Sequence, residues 1–191
     1  VKAPRHDRQE AIQKATQLFW EKGFHATSMR NIQDHIDLRP GSIYASFGSK
    51  EGLFKETLRC YAQSSLERLA GYAETMPALE ALQAFMTSVI CRPASDSPSD
   101  MCMLAKTVAE LTEENGELLE EAKGHLKRIE NAFAELLVQA QRDGTVDKNR
   151  DPKRMASFLQ IQLMGLRAYS RANGDDKQLQ EFVDEAFASL H

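Results

Sequence analysis

Between Leu119 and Ala140 apolar residues recur at positions 119, 122, 126, 129, 133, 136 and 140. Steps alternating between three and four place them along one stripe of a helix, whereas a strand would need alternate residues. The stripe runs over three heptads and stops at Asp143-Gly144, a turn pair. Much of the remaining chain obeys the same period. Ile12, Ala15, Leu18 and Phe19 share one face of a helix over 9–22, and Gly23 stands where glycine ends helices. Thr27 or Ser28 caps a second helix with Met29, Ile32 and Ile36 inward. Segments 77–91 and 101–112 read as helices flanking the polar loop RPASDSPSD. Asp151-Pro152 opens another helix as cap and first residue, and the last carries Leu179, Phe182, Val183, Ala186, Phe187 and Leu190. No repeat and no strand pattern interrupts this, so the expected fold class is all-α. The expected division is a three-helix head over 1–48 containing a helix-turn-helix, joined to a larger helical domain over 49–191.

One helix lacks a polar side. Over residues 152–172, Met155, Ala156, Phe158, Leu159, Ile161, Leu163, Met164, Leu166, Ala168 and Tyr169 surround the axis. Such a helix must be covered on both sides. In a chain of 191 residues one side packs at home and the other calls for a second copy. Gly165 in mid-helix costs about 1 kcal/mol relative to alanine unless a close helix approach recovers it. The favoured reading is a two-fold homodimer through the last two helices, with Phe158, Gly165, Leu166, Phe182 and Ala186 at the contact; the alternative is a helix buried in the centre of a monomer.

Composition narrows the function. The hydrophobic share is 42% and the charged share 27%, the balance of an ordinary globular protein. No apolar run approaches a membrane span, and VKAPRHDRQEAIQKA never becomes the apolar block of a signal peptide, so a cytoplasmic protein with no membrane partner is expected. Cys60, Cys91 and Cys102 are widely spaced, and neither they nor the five histidines show metal-ligand spacing. No metal and no cofactor are expected. Neither GxSxG, a P-loop, HExxH nor a dinucleotide fingerprint occurs, which argues against an enzyme. Net charge is −4, yet residues 1–50 carry four Lys and four Arg against five acidic residues, a local +3. A basic head on an acidic body suits a protein whose head alone meets a polyanion.

The stretch RPGSIYASFGSKEGLF, residues 39–54, names that polyanion. Between Pro40 and Gly48 there is room for about two helical turns, too few to persist alone in water. Ile43 and Phe47, four apart, can anchor this stub, leaving Gly41, Ser42, Tyr44, Ala45 and Ser46 outward. Helix, tight turn and short helix over 27–47 is the spacing of a helix-turn-helix, whose second helix enters the DNA major groove. Ser49 then caps a longer helix.

From Arg8 to Phe54 the chain resembles the N-terminal domain of the TetR family of bacterial transcriptional regulators. The runs that carry the resemblance are LFWEKGFHATSMRNIQDHI and GSIYASFGSKEGLF. It implies a homodimer with its two heads in successive major grooves of a partly palindromic double-stranded operator. Thr27 or Ser28, Tyr44 and Lys50 would hold phosphates; Arg39, Pro40, Gly41, Ser42 and Ala45 would lie nearest the bases. Lys2, Arg5 and Arg8 would form an arm along the backbone. Two departures stand out. Asp37 occupies the turn position usually given to glycine, and Arg39 replaces the usual Ser or Thr cap, placing a cation at the positive end of a helix dipole. Arg39 is tolerable there if it reads guanine or a phosphate in the bound state.

MCML at 101–104, Glu110-Leu111 and FAELLVQAQRDG at 133–144 resemble the C-terminal region of a branch of the same family. The resemblance implies a repressor released by a small-molecule effector, of identity unspecified by the residues. Candidate lining residues are Phe85, Met86, Val89, Cys102, Met103, Phe133, Phe158 and Gln162, each also explicable as core. Two other functions compete: a repressor of the same fold that senses oxidants or electrophiles through Cys102, where a helix begins, and a helical protein-interaction module built on the acidic body.

Overall fold

A computed structural model describes residues 5–36, 38–91 and 98–190, with the side chains of residues 5–7 and 40 left aside. Among these residues the chain is helical and has no strand. The helices are α1 (Arg5–Lys22), α2 (Met29–Ile36), α3 (Pro40–Phe47), α4 (Lys50–Ala73), α5 (Ala78–Ile90), α6 (Met103–Glu110), α7 (Gly116–Arg142), α8 (Pro152–Asn173) and α9 (Asp176–Ala188), with one 3-10 turn at Glu113–Asn115. Two compact units emerge. The first comprises Val1–Gln63 and Met103–His125; the second comprises Ser64–Cys102 and Leu126–His191. The first unit thus takes in the start of α4, α6 and the beginning of α7 besides residues 1–48.

In the first unit the helix stops sit where local chemistry puts them. Gly23 adopts φ +87°, a left-handed conformation that few other residues reach, and its N–H donates to Phe19 O at 2.8 Å. Ser28 Oγ accepts from Asn31 N at 3.1 Å while Asn31 Oδ1 accepts from Ser28 N at 2.9 Å, a reciprocal cap on α2. Ser49 Oγ accepts from Gly52 N at 3.0 Å and caps α4. The unit also holds an aromatic cluster: the Phe54 ring meets those of Phe19 and Phe24 with centroids 4.8 and 5.0 Å apart. Ile32, Ile36, Ile43 and Phe47 are buried in the same unit. Asp37 lies outside the described residues.

In the second unit α8 starts as expected, with Asp151 Oδ1 accepting from Lys153 N at 2.9 Å and Pro152 in the first turn. Its inner face, Met155, Ala156, Leu159, Gln160, Leu163, Leu166 and Arg167, is buried. The other face is open: Ile161 is 65% and Tyr169 39% exposed. The apolar surround foreseen for this helix is therefore covered on one side by its own unit, and the second side is bare.

Along α7 the buried positions are 118, 122, 125, 129, 133, 137 and 140, while Leu119, Leu126 and Leu136 are half-buried. The stripe is broader than the expected seam and shifted by one residue in three places. A straight helix drifts about 20° per heptad from a seven-residue repeat, so a strict seam needs supercoiling that α7 does not require. His125 fills one of the shifted places, with Nε2 3.2 Å from Glu121 Oε1.

Because α3 has only eight residues, its stability comes from its anchors. Ile43 is wholly buried, and its replacement by alanine is expected to cost about 2–5 kcal/mol by urea unfolding. Ala45, exposed one half-turn away, should tolerate serine within about 0.5 kcal/mol.

Candidate nucleic-acid interface

Helix α3 is held from behind and bare in front. Ile43 and Phe47 fix its inner side, and Gly48, at φ +77°, closes it by donating its N–H to Tyr44 O at 2.9 Å. On the outer side Gly41 and Ala45 are exposed, Ser42 and Ser46 are half-buried, and Tyr44 is 51% exposed. Apart from its chain neighbours and the backbone of its own helix, no described atom lies within 4 Å of where a Cβ on Gly41 would sit. An unobstructed, small-residue helix face with one projecting phenol can lie close against a duplex.

The flanking groups are placed unequally. Arg39, exposed, is the residue preceding α3, with φ −65° and ψ 147°, and its side chain makes no capping hydrogen bond. Pro40 takes the first helical turn, where its missing N–H costs nothing. Lys50 Nζ lies 4.2 Å from the centre of the Phe24 ring, a cation–π contact. Burial pushes its pKa down, and Glu51 and Glu110 partly offset this.

Of the two candidates for a phosphate-facing hydroxyl before α2, Ser28 is exposed and Thr27 is not. Thr27 is fully buried, and its Oγ1 donates to Gly23 O at 2.6 Å. It closes the turn after α1 and is withdrawn from the interface. The expected arm also changes. Arg8 Nη2 bonds Glu56 Oε1 at 3.0 Å and its guanidinium lies 5.0 Å from the Phe47 ring, so Arg8 braces the base of α3. Lys2 and the Arg5 side chain fall outside the described residues.

The effector candidates do not form one set. Phe85 and Phe133 pack edge to face with centroids 5.8 Å apart, and both are buried with Met86 in the second unit. Val89 is half-buried there, and its carbonyl accepts from Arg167 Nη1 at 2.9 Å. Met103 instead belongs to the first unit, where it is buried, and Cys102 ends a segment of the second. Phe158 and Gln162 line an open groove of about 520 Å³ between α8 and α9, which none of Phe85, Met86, Val89 or Phe133 lines. Gln162 stands two residues, about 200° of helix, from buried Gln160 and lines this groove. Gln160 and Arg167 are what sequence reasoning missed. Two turns apart on the inner face, they are polar groups in the core, and Gln160 Oε1 accepts no hydrogen bond there. Gln in an apolar helix was the available signal, but an all-round apolar pattern gives no phase to say which Gln is inside.

The groove's walls include Phe158, Ile161, Gly165, Leu166, Tyr169, Phe182 and Ala186, with Tyr169 and Phe182 ring centroids 5.9 Å apart. All five residues expected at a dimer contact are brought together on this one face. The cysteines Cys60, Cys91 and Cys102 are unpaired thiols, each half-buried, and burial followed by Asp176 and Asp184 pushes the Cys91 thiol up. Among the described residues no group of three or more metal-ligating side chains gathers, and no helix is long and apolar enough to cross a membrane.

Comparison with known proteins bears on this arrangement. The pattern of the family described as bacterial regulatory proteins, tetR family, matches residues 11–57, and that of the tetracyclin repressor-like C-terminal domain matches residues 78–186. The transcriptional repressor ComR of Escherichia coli is 25% identical over 184 residues, covering 93% of this chain and 85% of its own. The repressor BdcR of the same species is 42% identical over 62 residues, 32% of each chain. A cysteine mutant of the TetR-family regulator CifR, solved with a 26-bp double-strand operator, superposes with a TM-score of 0.86 at 26% identity, covering 99% of this chain and 100% of that one. With two family patterns that together cover most of its length, the chain belongs to the tetR family of bacterial regulatory proteins and is a DNA-binding transcriptional regulator rather than an enzyme.

Proposed function

We propose that the protein is a homodimeric repressor that lays α3 of each copy in a major groove of a double-stranded operator and is released by a small molecule. The observation that carries this is the division of labour on α3: buried Ile43 and Phe47 hold it, and Gly41, Ser42, Tyr44 and Ala45 are left outward. Ser28, Tyr44 and Lys50 contact phosphates in this reading; Arg39, Pro40, Gly41, Ser42 and Ala45 lie nearest the bases. The functional division is a DNA-binding head over 1–48 and an effector and dimerisation domain over 49–191. ComR is a repressor, which favours repression here, and such a regulator works in the cytoplasm, where the DNA is. Binding by selection from random duplexes tests the core of it: enriched sites should share a palindrome, and affinity should fall steeply with salt.

Phosphate and base contacts fail differently. Tyr44→Ala is expected to weaken all duplexes alike in a gel-shift series. Arg39→Ser should instead relax the preference at one base pair, by about 1–3 kcal/mol. Equal losses from both on every sequence would contradict the assignment.

The bare face of α8 and α9 supports the dimer. Gly165 has open space beside it, which lets a partner helix approach closely. Ile161→Glu is expected to yield monomers by analytical ultracentrifugation with folding retained. Operator affinity should drop by at least about tenfold, because two linked heads bind more tightly than one.

For the effector, Phe85, Met86, Val89, Cys102 and Phe133 are the proposed neighbourhood in the second unit, and Gln160 adds a buried acceptor in want of a donor. Leaving such a group unpaired costs about 1–3 kcal/mol. Gln160→Met should therefore raise the unfolding midpoint, keep operator binding, and answer less to compounds that release the wild type.

A further inference from the structure

Helix α6 grips the end of α1 with two charged side chains one turn apart. Lys106 Nζ donates to Trp20 O at 3.1 Å and to Glu21 O at 2.7 Å. Those carbonyls belong to the last turn of α1, where helix acceptors lack partners and a cation opposes the dipole favourably. Glu110 reaches the other side of the same turn: Oε2 accepts from Phe24 N at 3.1 Å and Oε1 from His25 N at 2.7 Å. A cation thus takes the outgoing carbonyls, and a carboxylate takes the amides that follow. Charge-assisted bonds of this kind are about twice as strong as neutral ones.

The turn is built to admit the carboxylate. A Cβ on Gly23 would stand 2.5 Å from Glu110 Oε2, so glycine there serves the close approach as well as its φ of +87°. Between the two charged residues, buried Thr107 returns its hydroxyl to Met103 O at 2.9 Å, and buried Met103 and Leu104 seat the apolar side of α6. The gripped turn passes directly to the DNA-facing parts. Thr27, just before the α2 cap, is tied to Gly23 O, and the Phe24 ring supports the Lys50 ammonium. α6 itself begins directly after Cys102, the last residue of a segment of the second unit.

We propose that Lys106 and Glu110 are positioning residues for operator binding: they fix the pose of the helix-turn-helix against α6, so that the two heads of a dimer meet half-sites at one separation. Neither needs to touch DNA. The proposal rests on the dimeric operator reading above, and its test keeps the two apart.

Wild type, Lys106→Met, Glu110→Gln and Lys106→Arg are titrated against the selected operator, against versions with the half-sites moved by one or two base pairs, and against a lone half-site. Urea unfolding is followed in parallel. At the native separation Lys106→Met and Glu110→Gln are each expected to lose about tenfold in affinity, the worth of one charge-assisted hydrogen bond. They should lose much less at shifted separations and nothing on the lone half-site, so the spacing profile flattens. Lys106→Arg should keep the wild-type profile. Variants that retain the wild-type spacing profile, whatever their stability, overturn the proposal. So does a loss of equal size at every separation and on the half-site, which marks a purely structural role. A wild type with no preferred separation overturns the dimeric reading and this proposal together, a result distinct from a sharp wild-type profile that the variants keep.

Discussion

Everything this protein offers to DNA depends on two side chains pointing away from it. An isolated two-turn helix in water does not persist. Ile43 and Phe47 supply about 1.5–3 kcal/mol each by leaving water, and they do so from one side of α3 only. The rings of Phe19, Phe24 and Phe54 pack together in the same unit, and Arg8, bonded to Glu56, lies over the Phe47 ring. Because the anchors are complete, Gly41, Ser42 and Ala45 need contribute nothing to packing and can stay small. Function here is surface that folding did not need.

Much of this was legible because it is local. Ile12, Ala15, Leu18 and Phe19 are buried as their spacing requires, and Gly23, Ser49 and Asp151-Pro152 sit at the helix ends their chemistry favours. The choice of Ile43 and Phe47 as anchors followed from a four-residue interval. What failed was phase and distance. Thr27 and Ser28 are adjacent and both good caps, and only the fold turns one hydroxyl inward. Residues 152–172 are apolar all round, so the sequence could not say that Gln160 faces the core and Gln162 the groove. The grip of Lys106 and Glu110 on α1 joins residues more than eighty positions apart. Each looks like an ordinary polar residue on a helical surface, and no periodicity marks its target.

The two bare surfaces differ in chemistry. On α3 exposed Gly41 and Ala45 and half-buried Ser42 and Ser46 are small, and with Tyr44, Arg39 and Lys50 they suit a hydrated polyanion. On α8 and α9 exposed Ile161 and Tyr169, with half-buried Phe158, surround Gly165, which suits another apolar surface. Although the chain has a net charge of −4, residues 1–50, which include α3, carry a local +3.

The most direct measurement places a photo-crosslinking amino acid at position 45 in one protein and at position 161 in another, then irradiates each with the selected operator. Crosslinks to major-groove bases from position 45, suppressed by high salt, and crosslinks only to a second protein chain from position 161 are the outcome this account requires. Operator-bound protein that yields DNA adducts from position 161 and none from position 45 would contradict it.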